Sequence, residues 1–136
     1  MKSISVAIYF LAIVICVNGE SQSISMNGTF LCDDKPLKNT RVEMYERDFL
    51  DPHDFYNFTM TDEYGRFELF GREDEYLAIE PYIIIKHNCG CTPDCRRTTV
   101  LRVPAKFING NYNVHNYSLN AWNYGDYELC GDDDDE

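Results

Sequence analysis

Short apolar segments separated by turns follow one another along the chain, without a sustained helical period. In residues 41–46 (RVEMYE), Val42 and Met44 alternate with polar neighbours, which is typical of a half-buried strand. Three consecutive isoleucines at 83–85 predict a central strand that is buried on both faces. The predicted strands are 25–32, 41–46, 55–61, 66–69, 79–87 and 98–103, with one or two more within 112–122. About seven short strands at this spacing predict an all-β, antiparallel β-sandwich that resembles the immunoglobulin architecture.

Turn-forming sequences mark the ends of these strands. Residues 33–36 (DDKP) predict a turn in which the proline ends the first strand, and residues 61–65 (TDEYG) predict a hairpin turn. The acidic residues 48–54 are predicted to form a loop, and residues 88–97 form a cysteine-rich turn.

The first 19 residues have a different pattern. Lys2 precedes an apolar run at residues 4–17, and small residues follow it, which is the pattern of a secretory signal peptide cleaved after Gly19. The alternative is an uncleaved N-terminal anchor, but the run is shorter than the roughly 20 residues of a membrane span. Since no second apolar run of this length follows, we expect no transmembrane segment after removal of the signal peptide.

Length and charge limit the remaining possibilities. The chain of 136 residues is expected to hold one folded domain, at 20–130, and the acidic residues 131–136 are expected to form a disordered tail. A hydrophobic content of 44% argues against an intrinsically disordered chain. The chain has 12 basic and 23 acidic residues and a net charge of −11, which argues against nucleic acid as a partner.

Cysteines are the first candidates for special chemistry. The predicted mature chain contains five of them, Cys32, Cys89, Cys91, Cys95 and Cys130. An exported chain meets an oxidising compartment, so disulfides are expected, and the odd number leaves one free or intermolecular thiol. Four paired cysteines allow three pairings, and spacing alone does not choose between them. A zinc site of three cysteines with His87 is the alternative, although the C-x-C-x₃-C spacing is not that of a standard finger.

Catalysis has little support in the sequence. His87 and Cys89 could form a nucleophilic pair, but a disulfide at Cys89 would remove the nucleophile. The sequence contains no nucleophile elbow, phosphate-binding loop or metal triad. We therefore expect a protein that is not an enzyme and needs no cofactor.

Three sequons are candidates for N-glycosylation in an exported chain, at Asn27, Asn57 and Asn116. The alternative is that a sequon within a packed strand is skipped. Exposed aromatic residues in 54–58 and 112–127 are candidates for a recognition surface, or else simply cover the sheet.

Charged residues give two weaker hypotheses. Clustered aspartates could bind calcium or form a solvated face, namely Asp33, Asp34, Asp48, Asp51 and Asp54. Three arginines, Arg96, Arg97 and Arg102, form the one local basic concentration, which could meet phosphate or sulfate groups.

The order of several motifs carries more information than any one of them. These motifs are G-T-F-L-C with K-P at 28–36, V-x-x-x-E-x-D at 42–48, T-D-x-x-G-x-F-x-L-x-G at 61–71, I-E-P-Y at 79–82, H-N-C at 87–89, Cys95, F-I-N at 107–109 and Cys130. Together they resemble the nematode transthyretin-like family over residues 25–130. Cys91, Asn120 (where a glycine is usual) and the acidic tail depart from the family pattern.

The resemblance implies a secreted sandwich of two sheets with a non-catalytic binding role. It also implies the pairs Cys32–Cys89 and Cys95–Cys130, which leave Cys91 as the free or intermolecular thiol. Some family members are associated with cell surfaces and with recognition of exposed lipid or receptors. A related hydrolase branch ends in Y-R-G-S, whereas this chain has Glu128-Leu129-Cys130 before its tail, so that activity is not implied.

We therefore expect a secreted, extracellular binding protein that docks on a cell-surface protein or lipid. The alternative is a carrier of a small apolar ligand, which would require an oligomer because transthyretin's own ligand channel lies between subunits.

Overall fold

Nine strands and one short 3₁₀ helix make up the part of the chain that the computed structural model describes, residues 21–47, 54–74 and 79–131. The strands are β1 (Ser21–Cys32), β2 (Lys35–Pro36), β3 (Arg41–Arg47), β4 (Asp54–Met60), β5 (Arg66–Asp74), β6 (Glu80–His87), β7 (Cys95–Arg102), β8 (Asn111–Ser118) and β9 (Tyr127–Cys130); the helix is Ala105–Phe107. No helix within these residues is long and apolar enough to span a membrane. The predicted signal peptide, with its cleavage after Gly19, and the acidic residues after Gly131 lie outside the described residues.

The strands form two sheets, which confirms the predicted all-β sandwich. In sheet A, β1 pairs with β2, β5 and β8; sheet B has the strand order β4-β3-β6-β7-β9. Every pair in sheet B is antiparallel. In sheet A, however, β1 and β8 run parallel. The chain crosses from β7 in sheet B through residues 103–110 to sheet A, and it therefore enters β8 in the same direction as β1.

A tight hairpin joins β1 to β2, where the sequence predicts only a turn. Cys32 pairs with Lys35, so the loop has two residues, Asp33 and Asp34, with φ of 51° and 62°. Positive φ at both central residues is the geometry of a type I′ turn, which usually carries Asn-Gly or Asp-Gly. Because two aspartates occupy the turn instead, the sequence does not reveal the hairpin.

Asn120 holds this hairpin from the loop after β8. Its Oδ1 accepts a hydrogen bond from the backbone N–H of Asp33 at 2.9 Å, and its Nδ2 donates to Asp33 Oδ1 at 2.8 Å. The residue that departs from the family pattern thus connects two segments that lie 87 positions apart in the chain.

Replacing Asn120 with alanine is expected to lower the free energy of unfolding by about 1 kcal/mol, since both hydrogen bonds are lost at an exposed site. Urea unfolding would measure the change, with exposed Asn88→Ala as the control. Equal unfolding midpoints for the two variants would contradict a role for Asn120 in holding the hairpin.

The core lies between the two sheets and follows the alternation of the strands. The fully buried apolar side chains are Ile24, Met26, Phe30, Val42, Met44, Ile79, Ile83, Ile85 and Leu119. Phe30 stacks on Phe67 with ring centroids 4.7 Å apart and meets the Tyr117 ring edge to face. The prediction that residues 83–85 are buried on both faces is wrong for Ile84, which is partly exposed on the outer face of sheet B because side chains alternate along β6.

Candidate functional site

Two disulfides lie within the described residues, and they remove most of the candidate thiols. Cys32 at the end of β1 is bonded to Cys89 just after β6, so this bond links sheet A to sheet B. Cys95 and Cys130 are bonded between β7 and β9. Among the described residues, the groups of three close metal-type ligands are Cys32, Asp33 and Cys89, and Cys95, Glu128 and Cys130. In each group the sulfurs are bonded to each other, which leaves a single carboxylate.

Among the described cysteines, Cys91 is the free thiol, and it is only partly exposed. Burial raises its pKa, and a hydrogen bond and the negative charge of Glu128 raise it further. A raised pKa reduces the thiolate fraction at neutral pH, and the thiolate is the reactive form. The environment of Cys91 thus disfavours the thiolate, and an intermolecular disulfide at Cys91 stays a prediction.

His87 is buried in a fully hydrogen-bonded position. Its Nδ1 accepts from the backbone N–H of Cys89 at 3.0 Å, and its Nε2 lies 2.7 Å from the hydroxyl of Thr99. Because Nδ1 accepts, Nε2 carries the proton and donates to Thr99. Burial, together with the positive charge of Arg97, lowers the pKa of His87 to about 4. A neutral His87 beside a disulfide-bonded Cys89 has no nucleophile to activate.

The buried, neutral His87 predicts a loss of stability in acid. Above pH 6.5 the imidazole is neutral in both the folded and the unfolded chain, so its contribution is complete there. As the pH falls from 6.5 to 4, the unfolded chain takes up a proton and the folded chain does not, which costs up to about 3 kcal/mol. Urea unfolding at several pH values should show this loss in the wild type and in a His115→Gln control. It should be absent in His87→Gln, and parallel curves for all three proteins would contradict the assignment.

Arg97 does not belong to a basic surface patch, which corrects the sequence hypothesis. Its side chain is fully buried and forms an ion pair with Asp126 at 3.2 Å, while Arg96 and Arg102 are exposed on the outer face of sheet B. Arg97 points inward because successive side chains of β7 alternate between the two faces. The two remaining arginines lie at opposite ends of the strand.

The predicted calcium ligands do not come together in the described residues. Asp33 is held in the hairpin by Asn120, and Asp54 begins β4 in the other sheet. Asp48 and Asp51 lie outside the described residues.

Two of the three sequons share one face. Asn27 on β1 and Asn116 on β8 both line a broad, polar cavity of about 800 Å³ on the outer face of sheet A. Asn27 lies two residues before Thr29, which is the cross-strand partner of Asn116. The two sequon asparagines therefore lie close together on neighbouring strands. Asn57 is exposed on β4, where its Nδ2 donates to the carbonyl of Phe70 at 3.2 Å. Glycosylation at all three positions stays a prediction.

The outer face of sheet B carries an apolar groove, which we call the tyrosine groove. It has a volume of about 370 Å³ and is lined by Tyr45, Arg47, Tyr82, Ile84, Val100, Arg102, Gly125 and Tyr127. The register aligns Tyr45 with Tyr82 and Tyr82 with Arg102, so adjacent strands place these side chains in a row. The rings of Tyr45 and Tyr82 stack with centroids 5.7 Å apart.

A hydrogen bond and an aromatic contact fix the ring of Tyr45 in this groove. Its hydroxyl donates to Glu43 Oε2 at 2.7 Å, and the ring of Phe55 meets it edge to face at 5.5 Å. Burial, with Glu43 beside it, raises the pKa of Tyr45 to about 12. Burial also raises the pKa of Tyr82, against the opposing charges of Arg102 and Arg47. Both hydroxyls therefore stay protonated at neutral pH.

The apolar surface extends beyond the groove along sheet B. Phe55 and Phe58 on β4 lie outside the groove lining and are each 46% exposed, and Tyr127, which lines the groove on β9, is 47% exposed. Part of the predicted aromatic surface is thus present, whereas Tyr112 and Tyr117 pack against the core. Sequence reasoning missed Tyr45 and Tyr82, although both occupy non-core positions of alternating strands, and that was the available signal.

The chain is similar in sequence to several known proteins. A sequence model of the transthyretin-like family matches residues 27–104. Transthyretin-like protein 16 of Caenorhabditis elegans is 34% identical over 96% of this chain and 99% of its own, and transthyretin-like protein 2 of the same organism is 31% identical over 83% and 78%. Among solved structures, a 9R-lipoxygenase from Cyanothece PCC8801 matches 76% of this chain and 17% of its own, with 20% identity and a TM-score of 0.39.

Proposed function

Because the chain belongs to the transthyretin-like family, and membership suggests a non-catalytic binding protein, we propose that it is secreted and acts as an extracellular adaptor or signal. In this proposal it docks on a protein or lipid partner at a cell surface. The two disulfides fit an extracellular protein, since such bonds persist in oxidising compartments. The resemblance of the first 19 residues to a signal peptide supports export.

The observation that carries the proposal is the exposed apolar outer face of sheet B. Aromatic side chains and arginine are enriched at protein interfaces, and contiguous exposed apolar surface is uncommon on proteins that bind nothing. The outer face of sheet A differs, because the cavity of about 800 Å³ there is lined mainly by polar side chains, including the sequon residues Asn27 and Asn116. Sheet B is therefore the better candidate for contact with a partner.

Binding to intact cells tests this proposal directly. The chain is expressed in a secreting host, purified, trimmed of glycans and labelled, and its saturable binding to intact cells is measured by flow cytometry. We expect saturable binding that an excess of unlabelled protein displaces. Treating the cells with protease first separates a protein partner, for which binding is lost, from a lipid partner, for which it is retained. Non-saturable binding to every cell type tried would contradict the docking function.

A carrier of a small apolar ligand is the second candidate, favoured by the apolar lining of the tyrosine groove. The groove opens to solvent, so a second copy would have to cover it to enclose a ligand. Under the docking proposal, size-exclusion chromatography with light scattering should give a monomer for the glycan-trimmed protein. A stable tetramer would favour the carrier instead.

A further inference from the structure

Two exposed arginines, Arg47 and Arg102, flank the tyrosine groove and form no salt bridge with another described residue. Within residues 21–47, 54–74 and 79–131, the salt bridges involve Arg41, Arg66 and Arg97, and neither Arg47 nor Arg102 takes part in one. A guanidinium has five donors in a fixed planar fork, which suits a carboxylate from outside the chain.

The sheet register places both arginines around Tyr82. On β7, Arg102 is the direct cross-strand partner of Tyr82. On β3, the partner of Tyr82 is Tyr45, and Arg47 lies two residues after Tyr45. Cross-strand and diagonal neighbours lie within roughly 5–8 Å, so long side chains can reach over the ring from both sides. The charges of both arginines act on Tyr82. One end of the groove therefore carries two guanidinium groups, with Glu80, the cross-strand partner of Arg47, beside them.

The floor of the groove is apolar. Ile84 and Val100 are cross-strand partners and are both partly exposed, and the stacked rings of Tyr45 and Tyr82 form the adjoining wall. A volume of about 370 Å³ lies at the small end of ligand sites. An occupant that fits both parts has an apolar side chain for the floor and an anion for the arginines.

The charge around the groove favours a local anion over an extended anionic surface. Glu43 and Glu80 project from the same outer face as the groove, and the whole chain carries a net charge of −11. A bilayer of anionic lipid would be repelled by these carboxylates while it contacts the arginines. A second copy of the chain would bring the same arginines and the same net negative charge to the interface. A peptide can instead present one or two carboxylates beside a side chain.

We propose that the tyrosine groove binds a segment of a protein partner that presents a carboxylate next to an aromatic or large aliphatic side chain. Arg47 and Arg102 donate to the carboxylate, and the apolar side chain lies on Ile84 and Val100. The inference rests on the proposed docking function and names the surface and the chemistry of the partner.

Titration with three short peptides tests the recognition chemistry. Nuclear magnetic resonance is used to follow the chain during addition of acetyl-Asp-Phe-Asp-amide, and of its Asn-Phe-Asn and Asp-Ala-Asp analogues. We expect the first peptide to shift the signals of Tyr45 and Tyr82 saturably, and each analogue to bind at least tenfold more weakly. An equal affinity of the Asn-Phe-Asn peptide, or no binding of the first peptide at millimolar concentration, would overturn the proposal.

Matched variants locate the site. Arg47→Gln/Arg102→Gln should weaken binding of the Asp-Phe-Asp peptide at least tenfold. The control Lys86→Gln/Arg96→Gln removes two exposed charges from the same face outside the groove and should change it less than twofold. Equal losses in the two double variants would show a general charge effect and overturn the proposal. Peptide-independent binding to phosphatidylserine vesicles, or a dimer that Arg47→Gln/Arg102→Gln dissociates, would overturn it in favour of a lipid surface or a second copy.

The same variants on intact cells separate the two proposals. Loss of cell binding in Arg47→Gln/Arg102→Gln, with normal binding of the control, supports the groove as the docking surface. Unchanged cell binding of this variant overturns the inference and leaves the docking function in place. If the wild type binds no cell, the docking function fails, and the peptide titration still decides whether the groove has the proposed specificity.

Discussion

Replacing Arg97 with leucine is expected to destabilise the fold by about 3–5 kcal/mol, the usual cost of breaking a buried ion pair by removing one partner. Arg97 and Asp126 have fully buried side chains 3.2 Å apart, so the variant leaves the Asp126 carboxylate without its cation. Arg97 also donates to the backbone carbonyls of Leu119 and Ala121, and these hydrogen bonds are lost as well. The substitution therefore removes several contacts of the loop between β8 and β9 at once.

The affected loop explains why the loss should be large. Asp126 accepts hydrogen bonds from the backbone N–H groups of Val100 and Asn123, so its carboxylate connects the loop to β7. The same loop carries Leu119, which is fully buried in the core, and Trp122, whose ring lies 4.1 Å from the Arg97 guanidinium carbon. Without Arg97, the position of Leu119 and the path of the chain into β9 lose their main polar support.

Urea unfolding followed by circular dichroism measures the change in global stability, and the fluorescence of Trp122, the one tryptophan of the chain, reports on the loop. Exposed Arg96→Leu is the control and should change the free energy of unfolding by less than about 0.5 kcal/mol. The double variant Arg97→Leu/Asp126→Leu should recover part of the loss, because no charge is then left buried alone. A loss below about 1 kcal/mol in Arg97→Leu would contradict this account of the cluster.

Local patterns were enough to predict the sandwich, and the reason is visible in β3. Val42 and Met44 are fully buried, and they alternate with the outward-facing Glu43 and Tyr45. Alternation is a property of neighbouring residues, so it can be read from a single segment. The ordered motifs also predicted the family correctly, and the family comparison confirms it.

Features that depend on distant residues were not predictable in the same way. Arg96 and Arg97 are adjacent and chemically identical, yet only Arg97 faces inward, where Asp126 receives it. Assigning the inward position requires knowing which side of β7 meets the core. The parallel pairing of β1 with β8 likewise joins segments more than 80 residues apart, and it follows from the crossover between sheets, not from either strand alone.

The tyrosine groove shows the same limit at the candidate site. Tyr45, Tyr82 and Arg102 lie on three strands, and each looks like an ordinary outward-facing residue in its own segment. Only the register of β3 with β6 and of β6 with β7 brings them into one row. The sequence therefore indicated a binding protein through its family resemblance, but it could not locate this groove.

Removing the Cys32–Cys89 disulfide is the second change with a large expected effect. The bond closes a loop with a sequence separation of 57 residues, and the loop-entropy relation gives a loss of about 4 kcal/mol when it is removed. It also links the end of β1 in sheet A to the residue after β6 in sheet B, and Cys89 packs in the core with 2% exposure. Cys32→Ala/Cys89→Ala should therefore unfold at a clearly lower urea concentration than the wild type.

The second disulfide provides the matched comparison. Cys95–Cys130 spans 35 residues and joins two neighbouring strands of one sheet, and Cys130 is exposed. Chain entropy alone makes the stabilisation from the two disulfides differ by less than about 0.5 kcal/mol. A larger difference would come from the link between the sheets and from the buried position of Cys89. We expect the loss in Cys32→Ala/Cys89→Ala to exceed that in Cys95→Ala/Cys130→Ala by at least about 1 kcal/mol. A larger loss in Cys95→Ala/Cys130→Ala would instead place the more important restraint at β9, the edge strand of sheet B that carries Tyr127 of the groove.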